Sequence, residues 1–222
     1  MIVNGARLIA DPAGALIWPA ERALVVADLH LEKGSAFAAR GALLPPYDTR
    51  TTLARLEALI RQHAPELVIC LGDSFHDAGA EARLGPDEAG QLARLGRGRD
   101  WVWIVGNHDP EPPAALGGRA CDELVLGPLR FRHEPRPKAP AGEVAGHLHP
   151  KAAVSVRGRR LVRRCFVSDG RRLILPAFGA YAGGLDVLDP AFRFAFSDGF
   201  HAHLLGRRRV YPFAAERLLP AR

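Results

Sequence analysis

Three short apolar runs, each ending in a cluster of polar and titratable residues, constrain this chain more than any other feature. They are Ala23-Leu24-Val25-Val26-Ala27 before Asp28-Leu29-His30, Leu67-Val68-Ile69-Cys70-Leu71 before Gly72-Asp73, and Trp101-Val102-Trp103-Ile104-Val105 before Gly106-Asn107-His108-Asp109. A continuous apolar run of this length reads as a strand covered on both faces. Between the first two, Leu53, Leu56, Leu59 and Ile60 fall at helical spacing within Thr51 to His63, and Pro65 closes the segment. Residues from about Pro86 to Leu95 read as a second helix. Strand, helix, strand, helix, strand implies a parallel α/β core, in which ligands gather outside the carboxyl ends of the strands. All three polar clusters fall there.

Upstream, Ala6 to Ala10 and Ala15 to Trp18 flank the turn-like Asp11-Pro12-Ala13-Gly14 and suggest an opening hairpin. Downstream the character changes. Leu124 to His133, Glu143 to Gly146, Ala152 to Val156, Leu161 to Val167 and Arg172 to Leu175 are short strand-like pieces separated by Gly and Pro, which predicts a second, largely antiparallel sheet. Arg157-Gly158-Arg159 and Ser168-Asp169-Gly170 each place a glycine where a hairpin turn needs positive φ.

With 222 residues, 48% hydrophobic and 24% charged, the chain suits one globular domain over residues 1–222 rather than a disordered or fibrous protein. The N-terminus lacks the basic start and apolar stretch of a signal peptide, and no run approaches the roughly 18 apolar residues that span a bilayer, so the expectation is a cytoplasmic protein without a membrane partner. Cys70, Cys121 and Cys165 are widely separated and odd in number, which offers neither a disulfide framework nor a Cys-x-x-Cys metal site.

Imidazole and carboxylate chemistry is what remains. A carboxylate at Asp28 and an imidazole at His30, two residues apart at a strand end, can reach one ion. Asp73 follows a glycine that permits close backbone approach, and a carboxylate there can offer one oxygen to each of two cations. Neighbours in an extended segment point oppositely, so Asn107 is assigned to a metal and His108 to the substrate. His133 closes another strand-like piece, and Gly146-His147-Leu148-His149 adds two more imidazoles. Seven such ligands are too many for one ordinary site and suit two sites sharing Asp73. Mixed imidazole and carboxylate ligation suits manganese, iron or zinc.

These stretches, Asp28-x-His30, Gly72-Asp73, Gly106-Asn107-His108-Asp109, His133 and Gly146-His147-x-His149, resemble in order the motif set of the calcineurin-like metallophosphoesterases. The resemblance implies an α/β fold, a four-layer αββα sandwich of two mixed sheets. It implies that Asp28, His30 and His149 hold one metal, that Asn107, His133 and His147 hold the other, that Asp73 bridges them, and that His108 is a general acid. Asp28 to Ser35, Leu44-Pro45-Pro46-Tyr47-Asp48-Thr49-Arg50, Leu71 to Asp77 and His133-Glu134-Pro135 resemble one subfamily, the bacterial ligase-associated DNA damage response endonucleases (PdeM-type).

That resemblance implies a manganese-dependent DNA phosphodiesterase or endonuclease cutting single-stranded or flap DNA in repair, beside a ligase, a helicase and an exonuclease. The phosphodiester would be attacked directly by a hydroxide shared by two divalent ions, Mn²⁺ first, with Fe or Zn as alternatives. His108, oriented by Asp109, would protonate the leaving oxygen. His76 reads either as a contact to the scissile phosphate or a support for a ligand, or as a surface loop histidine. Alternatives for the whole chain are a phosphoesterase of nucleotides or cyclic nucleotides and, in another class, a non-catalytic interaction module on the same fold.

Charge bears on the choice. Residues 1–150 carry 16 Lys/Arg against 19 Asp/Glu, and residues 151–222 carry 14 against 5. The basic C-terminal part favours a polyanion, with Arg157, Arg159, Arg160, Arg163 and Arg164 as candidate contacts to the strand. A solvated sheet face is the competing reading.

Overall fold

The computed structural model describes residues 1–42, 44–110 and 116–221. The chain enters through a small ribbon, β1 (Ile2–Val3) with β2 (Ala6–Arg7), and then the hairpin β3 (Ile9–Ala10) and β4 (Leu16–Trp18). β5 (Ala23–Val26), β6 (Leu67–Leu71), β7 (Asp100–Ile104) and β8 (Arg119–Cys121) follow in parallel, giving a first sheet ordered β3-β4-β5-β6-β7-β8. The crossovers carry α1 (Lys33–Ala39), α2 (Asp48–His63), α3 (Ala80–Arg83) and α4 (Pro86–Gly96).

Alternation along the strands divides the core in two. Leu24, Val26, Val68, Cys70, Trp101 and Trp103 face the helices and meet Leu53, Leu56, Leu59 and Ile60 of α2 and Leu92 and Leu95 of α4. Ala23, Val25, Ile69, Leu71, Val102 and Ile104 face the other way, onto Phe131, Val144, Phe166 and Leu173 of the second sheet. Each buried aliphatic side chain stabilises the fold by about 1.5–3 kcal/mol, so the three strand ends are anchored from both sides. α2 begins three residues earlier than its apolar spacing predicts, at Asp48. That carboxylate is buried and accepts the Gly34 N–H at 3.0 Å, which ties α2 to the loop behind His30.

The second sheet contains β9 (Glu123–Leu126), β10 (Leu129–Arg132), β11 (Glu143–Ala145), β12 (Pro150–Val156), β13 (Arg159–Ser168), β14 (Leu173–Ile174), β15 (Leu185–Asp186), β16 (His201–Leu205) and β17 (Val210–Ala214). Its order is β15-β12-β13-β14-β11-β10-β9, with β16 joined to β13 and β17. The expectation of a largely antiparallel sheet needs correction at its centre, because β10 pairs β11, and β11 pairs β14, in parallel. The β12–β13 hairpin, turning through Arg157 (φ 51°) and Gly158 (φ 75°), lies between β11 and β14 in the chain and lets it re-enter in the same direction. Parallel pairing sets the carboxyl ends of β10 and β11 side by side, and His133 and His147 leave from there.

A buried ion network fixes those ends. Glu143 on β11 is 1% exposed, accepts from Arg132 on β10 at 3.2 Å and from Arg172 Nε at 2.9 Å, and takes the Arg136 backbone N–H at 3.0 Å. The architecture is the expected α/β sandwich of two mixed sheets. Its fourth layer, over Ala152, Val154, Cys165 and Val167, is built from Phe192, Phe196 and Leu218 near the 3-10 turns Pro190–Phe192 and Ala215–Arg217. Among the described residues no α-helix follows Gly96, and no helix is long and apolar enough to cross a membrane.

Candidate metal centre

Left-handed backbone marks the site. Asp28 (φ 53°), His30 (φ 44°), Asp73 (φ 45°), His147 (φ 68°) and His149 (φ 45°) all lie in a region that non-glycine residues rarely adopt and that clusters at functional sites. Asp28 and His30 therefore reach one place through a kinked strand end rather than through the two-residue alternation of an extended one. The kinks are held by the neighbouring strand: Asp28 N–H donates to Gly72 O at 3.2 Å, and His30 N–H to Asp73 O at 2.8 Å.

Two donor clusters result. In the first, atoms of Asp28, His30 and His149 lie within 4.8 Å of one another; in the second, atoms of Asp73, His133 and His147 do so. Asn107 joins the second cluster, its Oδ1 lying 2.9 Å from His133 Nε2 and 3.1 Å from His147 Nδ1. Asp73 lies between the clusters, with Oδ1 3.4 Å from His133 Nε2 and Oδ2 3.9 Å from His30 Nε2. All seven residues that the sequence pointed to as ligands thus converge. His147 and His149, two positions apart, go to different clusters.

Glycines make this closeness possible. A Cβ at Gly72, whose φ is +69°, would lie 2.5 Å from the His133 ring, and one at Gly106 would lie 2.1 Å from the Asp73 backbone nitrogen. His133 Nδ1–H donates to Leu71 O at 3.0 Å, which fixes the tautomer and leaves Nε2 facing the cluster.

The donor set fits divalent cations. His30 Nε2 and His149 Nε2 are 3.3 Å apart, His133 Nε2 and His147 Nδ1 3.1 Å, and Asp28 Oδ1 and His149 Nε2 3.4 Å. Ligands about 2.1 Å from one ion stand roughly 3.0–3.4 Å from each other at right or tetrahedral angles. Electrostatics agree. Burial and then the nearby His149 lower the His30 pKa to about 3, keeping that ring neutral. Burial works against the charge on Asp73, yet His133 and the His108 N–H outweigh it and lower its pKa to about 2. At His133, burial is overcome by Asp73 and Asp28, and its pKa rises to about 9. A proton there does locally what a cation would do.

His108 stands at the rim, with 41% of its side chain exposed. Its Nδ1–H donates to His76 O at 2.8 Å, and its Nε2 turns inward, 4.0 Å from Asp73 Oδ2. The His76 ring stacks on the His108 ring with centroids 5.4 Å apart, and atoms of His30, His76 and His108 form a third donor group. Burial lowers the His76 pKa, with Lys33 adding to it.

Two expectations are corrected. Asp109 does not orient His108: its Oδ2 accepts from Ser74 N at 2.8 Å and Phe75 N at 3.1 Å, so it clamps the turn after Asp73, and burial raises its pKa to about 6. The His76 carbonyl holds the ring instead. Nor do the five arginines form one track. Along β13 successive side chains alternate, so Arg159 and Arg163 lie on one face and Arg160 and Arg164 on the other, with Arg157 in the turn. Arg160 donates to Pro220 O and Arg164 to Ala177 O at 2.7 Å.

Sequence reasoning gave no role to the support behind His30. Glu32, in left-handed backbone (φ 65°), accepts from Thr49 Oγ1 at 2.8 Å and Ser35 Oγ at 2.6 Å, and Arg83 Nε reaches Ser35 Oγ at 3.0 Å. Glu32, Ser35 and Thr49 lie in the subfamily-like stretches, which was the available signal.

Two stacked mixed sheets whose strand ends carry paired imidazole and carboxylate clusters joined by one aspartate define a phosphoesterase built to hold two metals. Residues 21–179 match the family described as calcineurin-like phosphoesterase. The chain belongs to that family of phosphoester hydrolases, which use a binuclear metal centre. It is similar to the crystal structure of Pseudomonas putida nuclease MPE at 36% identity and a TM-score of 0.73, over 96% of this chain and 98% of that one. A weaker likeness, 16% identity and a TM-score of 0.43 over 85% and 95% of the two chains, is to Yfce, a phosphoesterase from E. coli. No curated protein matches the chain in sequence.

Proposed function

We propose that the protein is a metal-dependent nuclease that hydrolyses phosphodiesters of single-stranded or flap DNA during repair, with manganese as the preferred ion. The observation that carries the reading is the joined pair of clusters with His108 Nε2 beside the joint, in a chain 36% identical over 96% of its length to a protein described as a nuclease.

Asp28, His30 and His149 would hold one ion, Asn107, His133 and His147 the other, and Asp73 both. When bound, such a pair supplies an acidified water and positive charge toward the phosphoryl oxygens. The chain's own residues do the rest. His108 delivers a proton from Nε2 to the leaving oxygen, because its Nδ1–H is committed to the His76 carbonyl; proton transfer of this kind contributes about 10²- to 10⁴-fold. The His76 ring limits how far that of His108 can rotate. Asp109 keeps the Ser74-Phe75 turn, and with it Asp73, in place. Beside Asn107 and His133 a cleft of about 430 Å³ runs past Glu134, Pro135 and Arg136 and gives a strand somewhere to lie. A ligase, a helicase and an exonuclease are proposed as companions.

The test is to incubate purified protein with labelled single-stranded, flap and duplex DNA, with cyclic nucleotides and with nucleotide monoesters, each with manganese, magnesium, zinc or iron. Internal cuts in single-stranded or flap DNA with manganese are expected. Turnover of the small esters alone would replace this reading by a small-substrate phosphoesterase. Metal uptake without any hydrolysis would point to the non-catalytic module.

A further inference from the structure

Beside the metal centre, on the far side of the backbone segment 177–179, lies a depression of about 590 Å³ lined by Arg55, Arg164, Arg207 and Arg208. The carboxylate among its lining residues, Asp11, is already engaged by His63 at 3.4 Å and by the Ala13 N–H at 2.8 Å. Arg164 donates to the carbonyls of Ala177 at 2.7 Å and Gly179 at 3.3 Å, and Arg55 to that of Phe178, whose ring its guanidinium covers at 4.4 Å. Arg55 Nε is buried with no acceptor among the described residues. Burial and the neighbouring Arg164 lower the Arg55 pKa to about 10, which leaves it charged at neutral pH. Two half-buried guanidiniums side by side, satisfied by carbonyls rather than carboxylates, are costly unless an anion joins them.

The depression is joined to the metal centre through the backbone segment 177–179. Ala177 bridges Ala27, and the N–H groups of Phe178 and Gly179 donate to the carbonyls of Ala27 and Asp28. The carbonyls that hold Arg55 and Arg164 therefore belong to the wall behind Asp28. Arg207 and Arg208, exposed in the turn between β16 and β17, also line the depression.

We propose that this depression binds a backbone phosphate of a single-stranded nucleic acid, a few residues along the strand from the phosphate presented to the metal centre. The assignment rests on the nuclease reading above. A guanidinium fork suits phosphate oxygens, and such contacts position a strand without reading its bases.

The experiment measures binding, not cleavage. Fluorescence anisotropy of a labelled single-stranded oligonucleotide is followed with metal-free protein across a salt series, for wild type, R207A/R208A and the control R94A/R97A. The control removes the same charge from exposed positions at the end of α4. With about −0.7 in log affinity per log salt for each phosphate neutralised, R207A/R208A should lose roughly 0.7 from the slope and the control almost nothing. Equal losses in both variants, or no loss in R207A/R208A, would overturn the proposal. A mononucleotide is titrated in parallel by thermal shift. If it stabilises wild type but not R207A/R208A while oligonucleotide binding is the same in both, the ligand is a free phosphate ester and the proposal falls. Because no metal is present, a protein that hydrolyses nothing can still show the expected slopes, and an active nuclease can still fail to show them.

Discussion

The backbone amide of His108 donates to Oδ1 of Asp73 at 2.9 Å. The residue assigned to the proton and the residue assigned to both ions are therefore one unit. Gly106 makes the contact possible, because any Cβ there would collide with Asp73.

Asp73→Ala should remove turnover on every phosphoester, because Asp73 lies between the two clusters. Substitutions one shell further out typically cost about 10- to 100-fold in metal affinity, and loss of the shared ligand should cost more. Metal content by mass spectrometry should fall from two ions to at most one. Near-wild-type turnover at saturating manganese would remove Asp73 from its bridging role.

His108→Ala should leave metal content unchanged, since His108 reaches Asp73 through its backbone N–H, which alanine keeps. Cleavage of DNA should drop by about 10²- to 10⁴-fold, and cleavage of an activated aryl diester, whose leaving group needs no proton, by much less. Equal losses on the two substrates would make His108 a ligand or a structural residue.

Much of this site was legible before the fold was known, because ligands at strand ends are local in sequence. A buried apolar run fixes where a strand stops, and Asp28, His30, Asp73 and Asn107 stand where three such runs stop. What escaped was set by tertiary context. The Asp109 carboxylate was free to serve either His108 or the Ser74-Phe75 turn, and only the path of that turn decides for the turn. The parallel course of β10, β11 and β14 depends on where a long hairpin is placed, which alternation does not encode. Arg157 to Arg164 look like one basic run in sequence, yet the two-residue period of a strand splits them. Arg55 lies 109 positions before Arg164 in sequence and carried no signal at all.

Gly72→Ala should damage the metal centre without replacing a ligand. Its φ of +69° disfavours any side chain, and the added Cβ would meet the His133 ring at 2.5 Å. Overpacking of this kind costs about 1–3 kcal/mol, to which the left-handed backbone adds. A lower urea midpoint together with weaker metal binding is expected in equilibrium titrations. Wild-type values for both would mean that His133 can move aside freely, against its hydrogen bond to Leu71.

Acid should weaken the fold in part through His203. His203, on β16, is half-buried; burial first, then the N-terminal ammonium and His201, lower its pKa to about 4 from an ordinary 6.5. A histidine whose folded pKa is depressed favours the folded state when neutral. Its contribution is fully present above pH 6.5 and is lost as pH falls from 6.5 toward 4, where the unfolded chain takes up the proton first. His203→Gln removes that proton-binding site from both states. The urea midpoint of metal-free wild type should therefore fall more steeply between pH 6.5 and 4 than that of the variant, whose remaining slope belongs to other groups. Working without metal keeps the ligand histidines from binding ions in a pH-dependent way, and the wild-type-minus-variant difference cancels their own titration. Identical slopes over that window would show that His203 is as easily protonated in the folded protein as in the unfolded chain, and would remove the desolvation assigned to it.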